Sequence, residues 1–118
     1  MSVRLGDLAS RIVIDHRKFT EYVLNPDHPD GRGKASGFRR MLGYTIQNYQ
    51  GLVAQLEALV PEAEATPAGR DHYGQRYMAD IPVTGVEGQQ AIVRTGWIVE
   101  WDSDEIRLIT LYVIGREK

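Results

Sequence analysis

The chain predicts an α+β domain: N-terminal helices, about three, packed on one face of an antiparallel β-meander of three to four strands. Three observations carry this. Apolar residues recur at helical spacing up to Pro61, they alternate from Tyr73 onward, and polar turns at 84–88 and 102–105 divide the alternating part. At 118 residues the chain is one domain by length. Residues 1–15 form an N-terminal arm or short strand, 16–60 a helical half and 61–118 a sheet half.

Taken in order, Arg11–Asp15 has the composition of a short strand. Phe19, Tyr22 and Val23 then mark a helix over about 16–24, stopped before Asn25-Pro26 because a residue preceding proline disfavours the helical region. Ala35, Phe38 and Leu42 stripe a second helix from about Gly33 to Met41, with Gly43 placed as its left-handed terminator. Thr45 or Asn48 suits the start of a third helix, whose apolar face is Tyr49, Leu52, Val53, Leu56 and Val60; Pro61 ends it. Residues 61–72 are polar and turn-rich, with room for a short strand around Glu64–Thr66. Strands follow over Tyr73–Val83, Gln90–Trp101 and Ile106–Ile114. In the long middle strand both faces are mixed, so alternation leaves its open face undecided. In the last strand it puts Ile109, Leu111 and Val113 in the core.

Composition narrows the function classes. No apolar run is long enough to cross a bilayer, the N-terminus lacks a signal-peptide core, and cysteine is absent. These features fit a soluble cytoplasmic protein without disulfides or thiolate chemistry. The net charge of −2 argues against a strong nonspecific nucleic-acid binder. Basic residues are nevertheless concentrated in the helical half, which suits either a local phosphate site or a solvated helix face.

The block Asn25-Pro26-Asp27-His28-Pro29-Asp30-Gly31-Arg32-Gly33-Lys34 joins two helices and has almost no apolar side chain. A stiff polar loop of this kind presents chemistry rather than building a core. His28 can exchange protons near neutral pH, or it can hold the turn through backbone hydrogen bonds. Lys34 opens a helix whose free N–H groups favour an anion, or it is a solvated first-turn lysine. The block is not a P-loop, because His28 stands where the first glycine is needed and Ala35 follows the lysine. No zinc, calcium or serine-elbow spacing occurs, so neither a metal nor a cofactor is expected. On the strands, Arg94-Thr95-Gly96-Trp97 and Arg107-Leu108-Ile109-Thr110-Leu111-Tyr112 each set hydroxyl and aromatic groups near an arginine. Such groups suit a phosphodiester and a stacked base; they are equally what β-propensity selects.

The pattern Lys18-Phe19-x-x-Tyr22-x-Leu24-Asn25, His28-Pro29-x-Gly31-x-x-Lys34-Ala35-x-x-Phe38 and Leu42-Gly43, with Tyr73-Gly74-x-Arg76-Tyr77, Thr84-Gly85, Val93-Arg94-Thr95-x-Trp97 and Arg107-Leu108-x-Thr110-x-Tyr112, resembles a small uncharacterised bacterial domain family. The resemblance spans about 16–114 and is associated with toxin–antitoxin and polymorphic-toxin contexts. The order of helices and then strands is also similar to the barnase, EndoU, colicin and RelE type of ribonuclease, an analogy of fold alone. It implies a metal-independent endoribonuclease toxin that cuts RNA through the 2′-hydroxyl, silenced by a cognate antitoxin protein. By role, His28 would be the base or acid, Lys34 and Arg94 would hold the phosphorane, and Thr110 and Tyr112 would orient the phosphate. Arg39, Arg76, Tyr77, Thr95 and Trp97 would bind substrate, with Trp97 or Tyr77 stacking a base. The alternative is a noncatalytic protein-binding module, such as an immunity or accessory subunit. A homodimer is compatible with either reading.

Overall fold

A computed structural model describes residues 3–116. Strands dominate it. The elements run β1 (Val3–Arg4), β2 (Arg11–Val13), α1 (Arg32–Leu42), α2 (Tyr49–Leu59), β3 (Glu64–Arg70), β4 (Gly74–Thr84), β5 (Gln90–Glu100) and β6 (Glu105–Arg116). They form one six-stranded sheet in the order β1-β3-β4-β5-β6-β2, antiparallel except where β2 runs parallel to β6. No helix among the described residues is long and apolar enough to cross a membrane.

This corrects the expected layout of N-terminal helices on a meander of three to four strands. The first elements are strands and the sheet is mixed; the expected helix over 16–24 is present as a short helical stretch over 17–23 that widens into a π-type turn at Phe19–Val23. The physical reason lies in the N-terminal arm. Its two short strands pair with the two opposite sides of the sheet, Val3 with Ala65 and Arg11 with Glu105. A flat sheet of this order would separate those edges by roughly 24 Å, near the fully extended reach of the link between Arg4 and Arg11. That link is not extended, because Leu5–Asp7 is a tight 3₁₀ turn. The sheet therefore curls into a half-barrel, and the link crosses its mouth with Leu5 fully buried.

Both longer helices follow their local signals. α1 ends at Gly43, whose φ of 79° lets its N–H reach the carbonyls of Phe38 and Arg39. Asn48 stands before α2, but its side chain ties the connection instead of capping: Oδ1 accepts from the Thr45 N–H and Nδ2 donates to the Gly43 carbonyl. Phe38 and Leu42 of α1 and Leu52, Val53 and Leu56 of α2 pack with Phe19 and Val23 against the inner face of the sheet.

That inner face carries Ala79, Ile81 and Val83 of β4 and Ala91, Val93, Thr95 and Trp97 of β5. On β6 the alternation breaks. Ile106 and Leu108 are buried, then Leu111, because the register slips between Gly96–Thr110 and Trp97–Leu108 and leaves Ile109 without an opposite residue. One extra residue moves every following side chain to the other face. Ile109 is therefore only half-buried, against the expected core stripe, while Thr110 and Tyr112 share the outer face with Gly96 and Arg94.

Candidate functional site

The site begins with the loop before α1. Asn25 Oδ1 accepts from the Asp27 N–H, and the Arg32 N–H donates to the His28 carbonyl. His28 Nδ1 accepts from the backbone N–H groups of both Asp30 and Gly31, each at 3.0 Å. These two donors fix the neutral tautomer, with the proton on Nε2. The imidazole thus supplies an acceptor just ahead of α1, where backbone donors have no helical partner. Gly31 is required by close approach: a Cβ there would collide with the Tyr22 carbonyl. The loop is consequently pressed onto the Phe19–Val23 turn, and the His28 and Tyr22 rings meet edge to face at 5.0 Å.

This docking brings Tyr22 to Lys34. The Lys34 ammonium donates to the Tyr22 phenol oxygen at 2.7 Å and lies 6.0 Å from the centre of the Tyr112 ring. Lys34 has no carboxylate within ion-pair distance among the described residues. The Tyr22 hydroxyl is pulled below the ordinary phenol range, first by that hydrogen bond; burial opposes it, while the Thr110 hydroxyl and the Lys34 charge reinforce it and Asp30 opposes it. Thr110 Oγ1 is the buried side-chain oxygen among the described residues that has no partner in bonding geometry. It is close enough to act on Tyr22 and holds a hydrogen to donate.

Tyr112 divides two openings. One, of about 430 Å³, is lined by Asp30, Gly33, Lys34, Gly37 and Val113 together with Tyr112 itself. The other, about 190 Å³ on the outer sheet face, includes Arg76, Met78, Arg94, Gly96, Thr110 and Tyr112. Arg94 stands opposite Tyr112 across the strands and holds Asp80 through two hydrogen bonds, at 2.9 and 3.0 Å. Its guanidinium is driven further toward the charged form, chiefly by Asp80 and secondarily by Tyr112. The carboxylate largely balances the Arg94 charge, so Lys34 is the cation facing this junction without a countercharge.

The structure therefore brings Lys34, Arg94, Thr110 and Tyr112 together, with His28 behind Tyr22. Arg76, Tyr77, Thr95 and Trp97 line the outer-face opening with Arg94, Thr110 and Tyr112, and Arg39 stands apart. Arg76 in that opening is tied to Asp71 at 3.0 Å. Arg39 lines a different cleft, on the other flank of α1. Thr95 and Trp97 are buried, with Trp97 Nε1 donating to Thr95 Oγ1, which donates to the Ala79 carbonyl, and both also border the outer-face opening. Tyr77 pairs with Trp97 across the strands, is half-buried, and borders the same outer-face opening as Arg94, Thr110 and Tyr112. Sequence reasoning missed Tyr22 as a functional residue, counting it in an apolar stripe. The available signal was a phenol in a stripe that a plain hydrocarbon side chain would fill. Among the described residues no cluster of three His, Asp or Glu side chains could hold a metal.

Fold and site define a small sheet-dominated domain with a lysine–tyrosine pair where helix, loop and sheet edge meet. Over residues 4–115 the chain matches the family model described as a domain of unknown function, DUF6883, and it belongs to that family. No curated protein and no solved structure gives a significant match.

Proposed function

We propose that this domain is a metal-independent endoribonuclease in which Tyr22, not His28, takes the proton. The observation that carries the reading is the 2.7 Å Lys34–Tyr22 hydrogen bond beside an unpartnered buried Thr110 hydroxyl, at the edge of an open cleft. A phenol lowered by an ammonium becomes a base closer to neutral pH, and Thr110 can donate to the phenolate once it forms. In the reaction the 2′-hydroxyl loses its proton to the Tyr22 phenolate and its oxygen bonds to the adjacent phosphorus. The bond from phosphorus to the 5′-oxygen breaks, and the Tyr112 hydroxyl protonates that oxygen. Lys34 faces the charge that builds on the phosphoryl oxygens. The products are a 2′,3′-cyclic phosphate and a 5′-hydroxyl, and solvent restores both tyrosines.

His28 is a positioning residue in this scheme. Its Nδ1 is committed to backbone donors, and its ring supports Tyr22. The toxin role and its cognate antitoxin extend the same proposal to the cell.

The test is incubation of the purified protein with RNA in chelator-containing buffer. The wild type yields cyclic phosphate ends and Tyr22→Phe does not. RNA left intact by the folded wild type at high enzyme concentration overturns the catalytic reading. A noncatalytic binding module is favoured by one observation, the exposed Tyr73 and Trp101 beyond the ends of β4 and β5. Under that reading Trp101→Ala abolishes capture of a protein partner, and Tyr22→Phe leaves it intact.

A further inference from the structure

The cations of this protein fall into two sets. Arg4, Arg11, Arg17, Arg76, Arg94 and Arg107 each hold a carboxylate. Of the seven that hold none among the described residues, Arg32, Lys34, Arg39 and Arg40 lie on α1, which contains no acidic residue, and Lys18, Arg70 and Arg116 lie elsewhere. In a chain whose net charge is −2 this is a local concentration of unspent positive charge. Self-repulsion along one helix disfavours it unless a polyanion relieves it.

The clefts on either side of α1 extend the observation. On one flank lies the Lys34–Tyr112 opening. On the other, Arg32, Ser36 and Arg39 border a cleft of about 380 Å³ whose floor includes Leu24, Pro26 and Ala35. Arg32 and Arg39 are separated by roughly 10 Å along the helix, on the same side. Between the flanks the helix surface carries Gly33 and Gly37. Packing does not require either glycine: a Cβ at Gly33 would meet nothing within 4 Å, and one at Gly37 would make an ordinary 3.9 Å contact with Val113. Gly37, inside the helix, costs it about 1 kcal/mol relative to alanine. What bare backbone provides here is close approach for a chain laid across the helix.

We infer that single-stranded RNA crosses α1 at Gly33 and Gly37, with the scissile phosphate at Lys34 and a nucleotide further along the strand seated in the Arg32–Arg39 cleft. The apolar floor takes the base or ribose, and the two guanidiniums at the rim take phosphate oxygens. This deepens the proposed ribonuclease reading by giving the substrate a path and a minimum length. A dinucleotide reaches only the Lys34 side, so longer strands are the preferred substrates.

Binding and cleavage test the path separately, on the full chain. A DNA oligonucleotide, which lacks the 2′-hydroxyl and is not cut, reports binding alone. The Arg32→Ala/Arg39→Ala double variant is expected to bind it about tenfold more weakly, with the slope of log affinity against log salt shallower by about 1.4. With RNA, the ratio of kcat/KM for an oligonucleotide over a dinucleotide falls by a similar factor. Affinity and salt slope unchanged in a variant that circular dichroism shows to be folded overturn the path, as does a wild type that binds no oligonucleotide. If DNA binding depends on these arginines while the wild type cuts no RNA, the path stands and the catalytic reading falls.

Discussion

Tyr22 and Tyr44 are the same side chain in two settings, and their hydroxyls are driven in opposite directions. Tyr44 is almost wholly buried; its hydroxyl donates to the Thr84 carbonyl and accepts from the Gln55 amide. Burial pushes it above the ordinary phenol range, and the neutral amide offsets only part of this. Tyr22 is also partly buried, yet the Lys34 ammonium pulls it down. Burial penalises a phenolate wherever it lies, so the partner decides the sign. A neutral amide makes a tyrosine into a structural tie between α2 and the end of β4. An unpaired ammonium at an open cleft makes one into a candidate base.

The most direct way to break this contrast is Tyr22→Phe. It keeps the ring against His28 and removes only the oxygen. RNA cleavage should fall by roughly 100- to 10,000-fold, the range a general base supplies, with the thermal unfolding midpoint nearly unchanged. A variant that cuts RNA at the wild-type rate removes Tyr22 from the chemistry. Gly31→Ala attacks the geometry instead. Its new Cβ must displace the loop from the Tyr22 carbonyl, at a cost of about 1–3 kcal/mol in stability, and Lys34 loses its alignment with the phenol. Denaturant unfolding measures the first effect, and an upward return of the Tyr22 titration measures the second.

Much of this arrangement was legible wherever the signal was local. The apolar stripe of Ala35, Phe38 and Leu42 with Gly43 behind it marks α1, and alternation marks β4 and β5. The two N-terminal strands were harder to read, because pieces of two and three residues show no period and owe their existence to partners far away in sequence. Only the Arg11–Asp15 composition hinted at one of them. The curl of the sheet depends on both. On β6 the bulge at Ile109 defeated simple alternation, and that shift sets Thr110 and Tyr112 beside Arg94. The sequence singled out Lys34, yet not its partner. Tyr22 sits twelve residues away, and only docking of the Gly31 loop unites them.

Lys34→Met sharpens the comparison through pH. A phenol whose folded pKa is depressed contributes stability that is present above its unfolded pKa, near 10, and is lost as pH falls through the folded value. At neutral pH Tyr22 therefore adds nothing by this route, and on alkaline titration it works against unfolding. Tyr44 does the reverse: its raised pKa makes the fold lose stability as pH climbs past the unfolded value. Removing the Lys34 charge leaves only the burial effect at Tyr22 as a strong influence, so both tyrosines then resist ionisation. The expected result is that Lys34→Met loses more stability than the wild type between neutral and alkaline pH. Tyrosinate absorption should show one fewer early-titrating phenol. Identical alkaline unfolding curves for the two proteins would mean that the ammonium does not govern Tyr22.

Tyr44→Phe is the smallest expected change and the control on the structural side. The lost hydroxyl takes one hydrogen bond from the Thr84 carbonyl, which still accepts from Gln55 Nε2 at 2.7 Å, while Gln55 Oε1 goes on accepting from the Thr84 N–H. No buried acceptor is orphaned, so the cost should be about 1 kcal/mol, the net worth of one ordinary hydrogen bond. A double-mutant cycle with Gln55→Ala makes this quantitative. With Gln55 gone, the Thr84 carbonyl depends on Tyr44 alone, and removing the hydroxyl as well should cost more than it does in the wild type. Strictly additive losses would show that the two groups satisfy Thr84 independently. The Tyr44 hydroxyl would then be an isolated contact, and its raised pKa would reflect burial with no network behind it.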